Sequence, residues 1–531
     1  MEERPRVRCI LGPHPLMDSP GAIGEIPLPH ADYTLNRLNQ ARTLLGWGPE
    51  PVVRRHRQGV TVALPGPADL VDPAADILEW AASEEDELDW VARRIRRSEN
   101  LPLRAVLQAL PDAAFSGDGL LTVGLGKHAR SWSLDDPLPP LGALGPVARV
   151  PTAMITGTNG KTTTTRLLAQ IVRSSGRTPG ASTSGGVVIG EDRVEPGDWT
   201  GPGGARRVLR DPRVDVALLE TARGGILRRG LAIRGHDVAV LTNVTPDHIG
   251  EWGVDSLEEM AAVKLIIADA LRKGGTLVVP AQSEPIWAVL PALLNRRPDI
   301  RVQRFSTQGP ADAWSDGRYV IHGDARIPIA EIPITFHGTA RHNIENVLAA
   351  LLAALALGIP GQAINQGLRA FRPSTADNPG RMNCFRLPSG AIVVLDVAHS
   401  PDAMRRIVET VKHWPQTRRT LLLGQTGDRP DSDLRDLAVA ATALGGRVLL
   451  KEMPTKLYDR RPGEVSRLMA AALRAVSYPE HLMYGPSPTE EAGVRLAIQG
   501  LTREDVAVLL IHESLINAVE LLQQADAVPV E

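Results

Sequence analysis

The chain has 531 residues, 43% of them hydrophobic, and its 59 Lys and Arg nearly balance 61 Asp and Glu, for a net charge of -2. That length exceeds what one core supports and predicts roughly three or four domains, and the charge balance excludes the basic surface that a nucleic-acid partner requires. The longest apolar run, 347–357, is far too short for a membrane span, the start has no apolar signal segment, and two cysteines, Cys9 and Cys384, make neither a disulfide framework nor a thiolate zinc site, so a soluble chain in the reducing cytoplasm is expected.

Residues 1–148 read as a smaller α+β domain of unclear role. Short apolar runs at 7–11 and 60–64 predict strands, and a charged helical segment at 77–98 turns Trp80, Leu88, Trp90 and Val91 toward a core. A Pro/Gly-rich stretch at 136–151 predicts a linker. Residues 149–372 then alternate: strand 153–155, helix 166–173, strands 214–220 and 237–243, helix 257–272, strand 276–279 and a buried helix at 347–357. Such alternation implies parallel strands with crossover helices, a P-loop central domain with a mostly parallel sheet. A second break at 371–380 opens residues 373–531. Strands 391–397, 420–424, 447–451 and 506–511, with a helix at 403–413, predict a Rossmann-like C-terminal α/β domain.

Ile155-Thr156-Gly157-Thr158-Asn159-Gly160-Lys161-Thr162 lies between the first central strand and its helix. Gly157 and Gly160 permit a sharp turn that aims backbone N–H groups at an anion, and the helix N-terminus adds partial positive charge. In that frame Lys161 reaches the outer phosphates of a nucleotide and the Thr162 hydroxyl a magnesium ion. The full Walker pattern wants glycine where Ile155 stands. Lysine is scarce, seven residues in all, so its presence at 161 and 264 is a signal in itself.

Glu220 ends an apolar strand, where open α/β sheets bind ligands, and suits a hard cation. A salt bridge to an arginine such as Arg223 is the structural alternative. Asn243, Asp247 and His248 follow the next strand in Asn243-Val244-Thr245-Pro246-Asp247-His248. Lys264 sits in an apolar helical stretch, either snorkelling from its surface or buried, where a neutral amine becomes open to modification. His342-Asn343-Ile344-Glu345-Asn346 opens the apolar helix, its amides suited to capping or to reading an adenine ring. Asp396 and His399 follow a strand in the C-terminal domain, with Ser400 positioned to cap the next helix. Arg223, Arg228 and Arg229 form either a solvated basic face or a patch that steers an acidic acceptor.

In this order these segments, with Gly380-Arg381-Met382 and Asp396-Val397-Ala398-His399-Ser400-Pro401, resemble the Mur ligase family of ATP-dependent carboxylate–amine ligases, from about residue 150 to the C-terminus. Its shorter phosphate loop lacks the first Walker glycine too. Within the family the chain is similar to the cyanophycin synthetase branch, on Asp198-Trp199-Thr200-Gly201-Pro202, on 209–214, on 220–230, on Asn378-Pro379-Gly380-Arg381, on Lys451-Glu452 and on Arg461-Pro462-Gly463-Glu464-Val465.

The resemblance implies ATP and Mg2+, with Gly157, Thr158, Asn159, Gly160, Lys161, Thr162 and Thr163 cradling the phosphates. It implies Thr162, Glu220, His248 and a carbamylated Lys264 at the metals, with Lys161, His248 and Lys264 catalytic. Asn343 or Asn346 would meet adenine, Arg381 and Asp396 the nucleotide, and Arg223, Arg228 and His399 the substrate. The implied reaction joins an arginine-like amino acid to a carboxylate of a small or peptidic acidic substrate through an acyl phosphate. That branch carries an ATP-grasp module ahead of its Mur-type half, for which 150 residues leave no room. A separate ATP-grasp protein is therefore the implied partner, a homo-oligomer the implied assembly, and a nucleotide-binding scaffold without its own catalysis the competing reading.

Overall fold

A computed structural model describes residues 6–57, 59–85, 87–246 and 249–530. The chain packs as two compact units, one made of 1–306, 310–313 and 348–367, the other of 307–309, 314–347 and 368–531. Among the described residues no helix is long and apolar enough to cross a membrane.

The first unit opens with a four-stranded antiparallel sheet in the order Arg6–Ile10, Gly21–Pro27, Gly59–Pro65, Val52–His56. Ala22, Ile26, Val60, Val62 and Leu64 face the helices Ala31–Leu45 and Val71–Ala81 and form a core with Trp80 and Val91. The helix expected at 77–98 is two, Val71–Ala81 and Asp89–Ser98. Ser83 breaks it: its hydroxyl donates to Trp80 O and accepts from Glu85 N, an alternative to helical pairing. A three-stranded antiparallel sheet follows, Ala114–Gly117, Leu120–Val123 and Arg130–Ser133. The stretch expected as a linker packs against it, with Leu144 buried.

The central sheet of this unit runs Asp192–Glu195, Gly186–Ile189, Pro179–Thr183, Val216–Glu220, Thr152–Thr156, His236–Leu241, Leu271–Pro280, Arg301–Ser306. From Pro179–Thr183 to Arg301–Ser306 neighbours are parallel, and a hairpin completes one edge. Ala153, Ile155, Ala217, Leu219, Val238 and Val240 are fully buried, as a parallel sheet covered on both faces requires. The expected helix 257–272 ends early, as Leu257–Lys264 and Ile266–Asp269, because Leu271 already pairs with His236 and the strand continues through Gly274 and Gly275 to Pro280. The expected helix at 347–357 belongs to Arg341–Ala356.

The second unit carries a seven-stranded sheet in the order Met483–Ser487, Arg447–Lys451, Arg418–Leu423, Asp505–Leu510, Ile392–Asp396, Asn383–Arg386, Val528–Pro529. Met404, Ile407, Leu434, Leu437 and Met469 cover one face, and Val494, Ala497, Ala518 and Leu521 the other. Helices on both faces of a largely parallel sheet make it doubly wound, so the loops after Asp396, Leu423, Lys451 and Leu510 gather at one edge of the sheet.

Candidate functional site

The register of the central sheet aligns three loops. Glu220 pairs with Ile155 and Leu241 with Thr156, so the segments after these strands leave the sheet side by side. The phosphate-loop strand ends at Thr156, and the helix Lys161–Ser174 begins behind Gly160, which has φ 84°. Ile155 is a buried strand residue, so the glycine of the longer Walker pattern has no turn to make here.

Gly157 is obligatory for two reasons. Its φ is +148°, and a Cβ there would lie 1.9 Å from Thr242 Oγ1. The loop is stapled to the neighbouring segment by a lattice of hydrogen bonds. Asn159 N donates to Asn243 Oδ1 at 2.9 Å while Asn243 Nδ2 donates to Asn159 O at 3.0 Å. Thr158 N donates to Asn243 O at 2.9 Å, Thr242 Oγ1 to Asn159 O at 2.6 Å, and Thr245 N to Thr158 Oγ1 at 3.1 Å. Lys161 Nζ donates to Gly157 O and Thr158 O at 2.9 and 2.8 Å, holding its ammonium over the loop. Thr163 is buried in the first turn of the helix.

Beside the loop, hydroxyl and carboxylate groups converge. Thr162 Oγ1 donates to Glu220 Oε1 at 3.0 Å and lies 3.0 Å from Ser184 Oγ, and Ser184 N donates to Glu220 Oε2 at 3.2 Å. Glu220 is 2% exposed. These are hard oxygen donors of the kind Mg2+ or Mn2+ takes, presented at a helix N-terminus, and they fit a divalent cation bound with phosphate. Ser184 escaped the sequence reading: it follows the strand Pro179–Thr183 in a Ser/Gly turn that looks like an ordinary connection, and only the pairing of that strand with Val216–Glu220 brings it here. Lys264 ends the helix Leu257–Lys264 and is 2% exposed, which removes the snorkelling explanation. Asp247 and His248 lie outside the described residues.

Arg223, expected on a substrate-facing basic patch, is buried instead and pairs with Glu251 at 2.8 Å. Arg228 and Arg229 remain exposed on the helix Arg223–Arg229, which packs against the strand Arg6–Ile10. Burial, followed by the charges of Arg228, Arg229 and Arg6, lowers the Arg8 guanidinium from its ordinary value. Four arginines thus share one patch.

In the second unit Asn343 Nδ2 donates to Ile334 O at 2.8 Å and Asn346 Nδ2 to Asn343 Oδ1 at 3.0 Å, so both amides are engaged within the fold. Asp396 ends the strand Ile392–Asp396, and Met382 N donates to its Oδ2 at 2.8 Å. Burial pushes its carboxyl up to about 6, opposed by the nearby Arg381 charge. Arg381 Nη1 donates to Gly380 O, and His399 Nδ1 lies 3.3 Å from Val397 O. Ser400 caps the helix Pro401–Lys412 through Ala403 N, the structural part foreseen for that motif. The sequence reading gave no role to Lys451, Glu490 and His512. Lys451 Nζ pairs with Glu490 Oε2 in the interior, Glu490 also accepts from the backbone N–H of His512, Glu513 and Ser514, and His512 Nε2 meets Ala398 O at 3.0 Å.

Residues 155–354 match the Mur ligase middle domain and residues 380–511 the Mur ligase glutamate ligase domain. Cyanophycin synthetase of Crocosphaera subtropica (strain ATCC 51142 / BH68) is 32% identical over 531 residues, 94% of this chain and 60% of that protein. Cyanophycin synthetase of Synechocystis sp. is 40% identical over 342 residues, 62% of this chain and 39% of that protein. The chain therefore spans less than two thirds of the length of these relatives. A crystal structure of bifunctional folylpolyglutamate synthase/dihydrofolate synthase from Yersinia pestis, complexed with AMPPNP and Mn ion, shares the fold at 20% identity with a TM-score of 0.54, covering 71% of this chain and 89% of that one. With two of the family's modules matched in sequence over more than half of its length, the chain belongs to the Mur ligase family.

Proposed function

We propose that the chain is an ATP-dependent ligase that joins an amine to a substrate carboxylate through an acyl phosphate. The observation that carries this reading is the Thr162, Ser184 and Glu220 cluster beside the phosphate loop, an anion cradle and a cation site built side by side. The names of the relatives support it, cyanophycin synthetases by sequence and a folylpolyglutamate synthase with AMPPNP and Mn by fold.

In this reading the carboxylate attacks the γ-phosphorus of ATP, the bond to ADP breaks, and an incoming amine then displaces phosphate from the acyl phosphate. The N–H groups of 157–162 hold the phosphate oxygens, and Lys161 shifts from the Gly157 and Thr158 carbonyls to the phosphoryl group as its charge develops. Thr162, Ser184 and Glu220 would hold a divalent cation, which would supply positive charge to the phosphoryl group, and His248 and Lys264 are the sequence's further candidates for that role. Carbamylation would turn buried Lys264 from cation to carboxylate, which suits a cation site. Asn343, Asn346, Arg381, Asp396 and His399 are the second unit's candidates for nucleotide and substrate. The acceptor is an acidic peptide or small acid, a reading supported by the exposed Arg228 and Arg229 near Arg6 and the half-buried Arg8. The amine is an arginine-like amino acid, as the motif resemblance to the cyanophycin synthetase branch implies.

The test is ADP release by the purified chain with Mg-ATP, a panel of amino acids and a panel of acidic peptides, read together with product mass. We expect ADP only when acceptor and amine are both present, and a product heavier by the amine less water. Lys264→Ala should abolish turnover and leave ATP binding nearly unchanged. No substrate-dependent ADP across both panels would refute the ligase reading, and undiminished turnover in Lys264→Ala would remove the carbamate.

A further inference from the structure

The N-terminal sheet has no catalytic constellation of its own, yet it grips both segments that lead away from the site. After Glu220 the chain enters the helix Arg223–Arg229 and then Gly230 and Leu231. Leu231 N donates to Pro13 O at 2.7 Å, His14 Nε2 lies 3.0 Å from Leu227 O, and Gly12 fits against Leu231 O so closely that a Cβ would stand 2.3 Å from it. Downstream of Asn243 the chain forms a turn, Glu251–Gly253, and here the grip is tighter. Arg54 Nη2 donates to Trp252 O at 2.5 Å, and Arg57 lies 3.8 Å from Asp255. The His56 ring covers Gly253, where φ is +64° and a Cβ would sit 2.6 Å from His56 Cγ. His56 is itself fixed by Glu25, whose other oxygen accepts from Thr61 Oγ1 at 2.7 Å. His14, Arg54, Leu227 and Trp252 close a seam without room for a water.

Trp252 supplies the sharper observation. Its backbone is left-handed, φ 56° and ψ 34°, a conformation bulky side chains avoid and which persists only where surroundings over-determine it. Three constraints do so here: Arg54 on its carbonyl, His56 against the next residue, and the turn bond from Gly250 N to Val254 O at 2.7 Å. Two of them come from the N-terminal sheet.

Resting on the ligase reading, we propose that Arg54 and His56 are positioning residues of the site, holding the strained 250–254 turn and so anchoring, from its downstream end, the chain whose residues 242–245 are stapled to the phosphate loop. The N-terminal sheet is thus part of the site's scaffold. Its link to chemistry runs through Thr242, Asn243 and Thr245, which are bonded to Thr158 and Asn159.

Variants of the full chain test this: Arg54→Met, which keeps the stem and removes the donor, Gly253→Ala, which pushes the turn off His56, and Arg55→Met as a control on the exposed Arg55–Asp32 pair of the same strand. The first two should speed hydrogen exchange of amides 250–254 by about tenfold or more without moving the unfolding midpoint, and the control should not. In ADP release, kcat should fall by about 10- to 100-fold while KM for ATP stays within about twofold, since displaced catalytic groups cost rate rather than binding. Exchange at wild-type rates in both variants would overturn the clamp, and faster exchange with unchanged kcat would overturn the positioning role. A wild-type chain that releases no ADP would sink the ligase reading and the positioning role that rests on it, while exchange still decides whether the sheet holds the turn.

Discussion

At the scale of single residues, Asp396 shows how burial turns into a measurable. Buried at a strand end, its carboxyl is raised to about 6 from an ordinary 3.8, so the folded state resists its ionisation. The favourable contribution is complete below about pH 4 and is lost as pH rises through about 6. Urea unfolding of wild type and Asp396→Asn across that window should show wild type losing about 1–3 kcal/mol relative to the variant. A flat difference would mean that Arg381 and Met382 N already offset the burial. Legibility at this scale follows local sequence. Lys161, Thr162 and Glu220 could be read because strand ends and glycine turns are written in adjacent residues. Ser184 could not, since its place depends on which strands pair.

Among the elements, the phosphate loop and the segment after His236–Leu241 form one unit of structure. Gly157→Ala would add a Cβ 1.9 Å from Thr242 Oγ1 and displace the hydroxyl that donates to Asn159 O. Titration calorimetry with ATP should show affinity lower by about tenfold or more, the result of losing about 1.4 kcal/mol or more of preorganisation. Unchanged affinity would show that the staple is dispensable. Most elements could be anticipated from apolar periodicity, because parallel strands buried on both faces are written as continuous apolar runs. The errors came where tertiary pairing overrode pattern, at 270–275, where a helical run yields to a strand beside His236, and at 82–88, where Ser83 ends a helix whose charged residues looked continuous.

Across the whole molecule, two compact units each carry an apolar core of their own. Glu490→Ala would leave the Lys451 ammonium in the second unit's interior without its carboxylate. Calorimetric unfolding should show the second unit's transition weakened by about 3–5 kcal/mol, with the first unit's transition in place. A single transition that moves as one would show the units unfolding together. The doubly wound architecture of the second unit was readable from strand and helix alternation. Of the N-terminal antiparallel sheet the apolar runs at 7–11 and 60–64 were readable, while Gly21–Pro27 and Val52–His56 were not, because glycines interrupt the first and arginines the second.

Seven lysines in 531 residues have an experimental consequence. Lys451 is locked against Glu490, Lys161 is bonded over the phosphate loop, and Lys127 is tied to Asp215. The other four are Lys264, Lys273, Lys412 and Lys456. In 13C-bicarbonate a carbonyl spectrum of this protein would be nearly bare, and a carbamate resonance missing from Lys264→Ala would be assigned by simple subtraction.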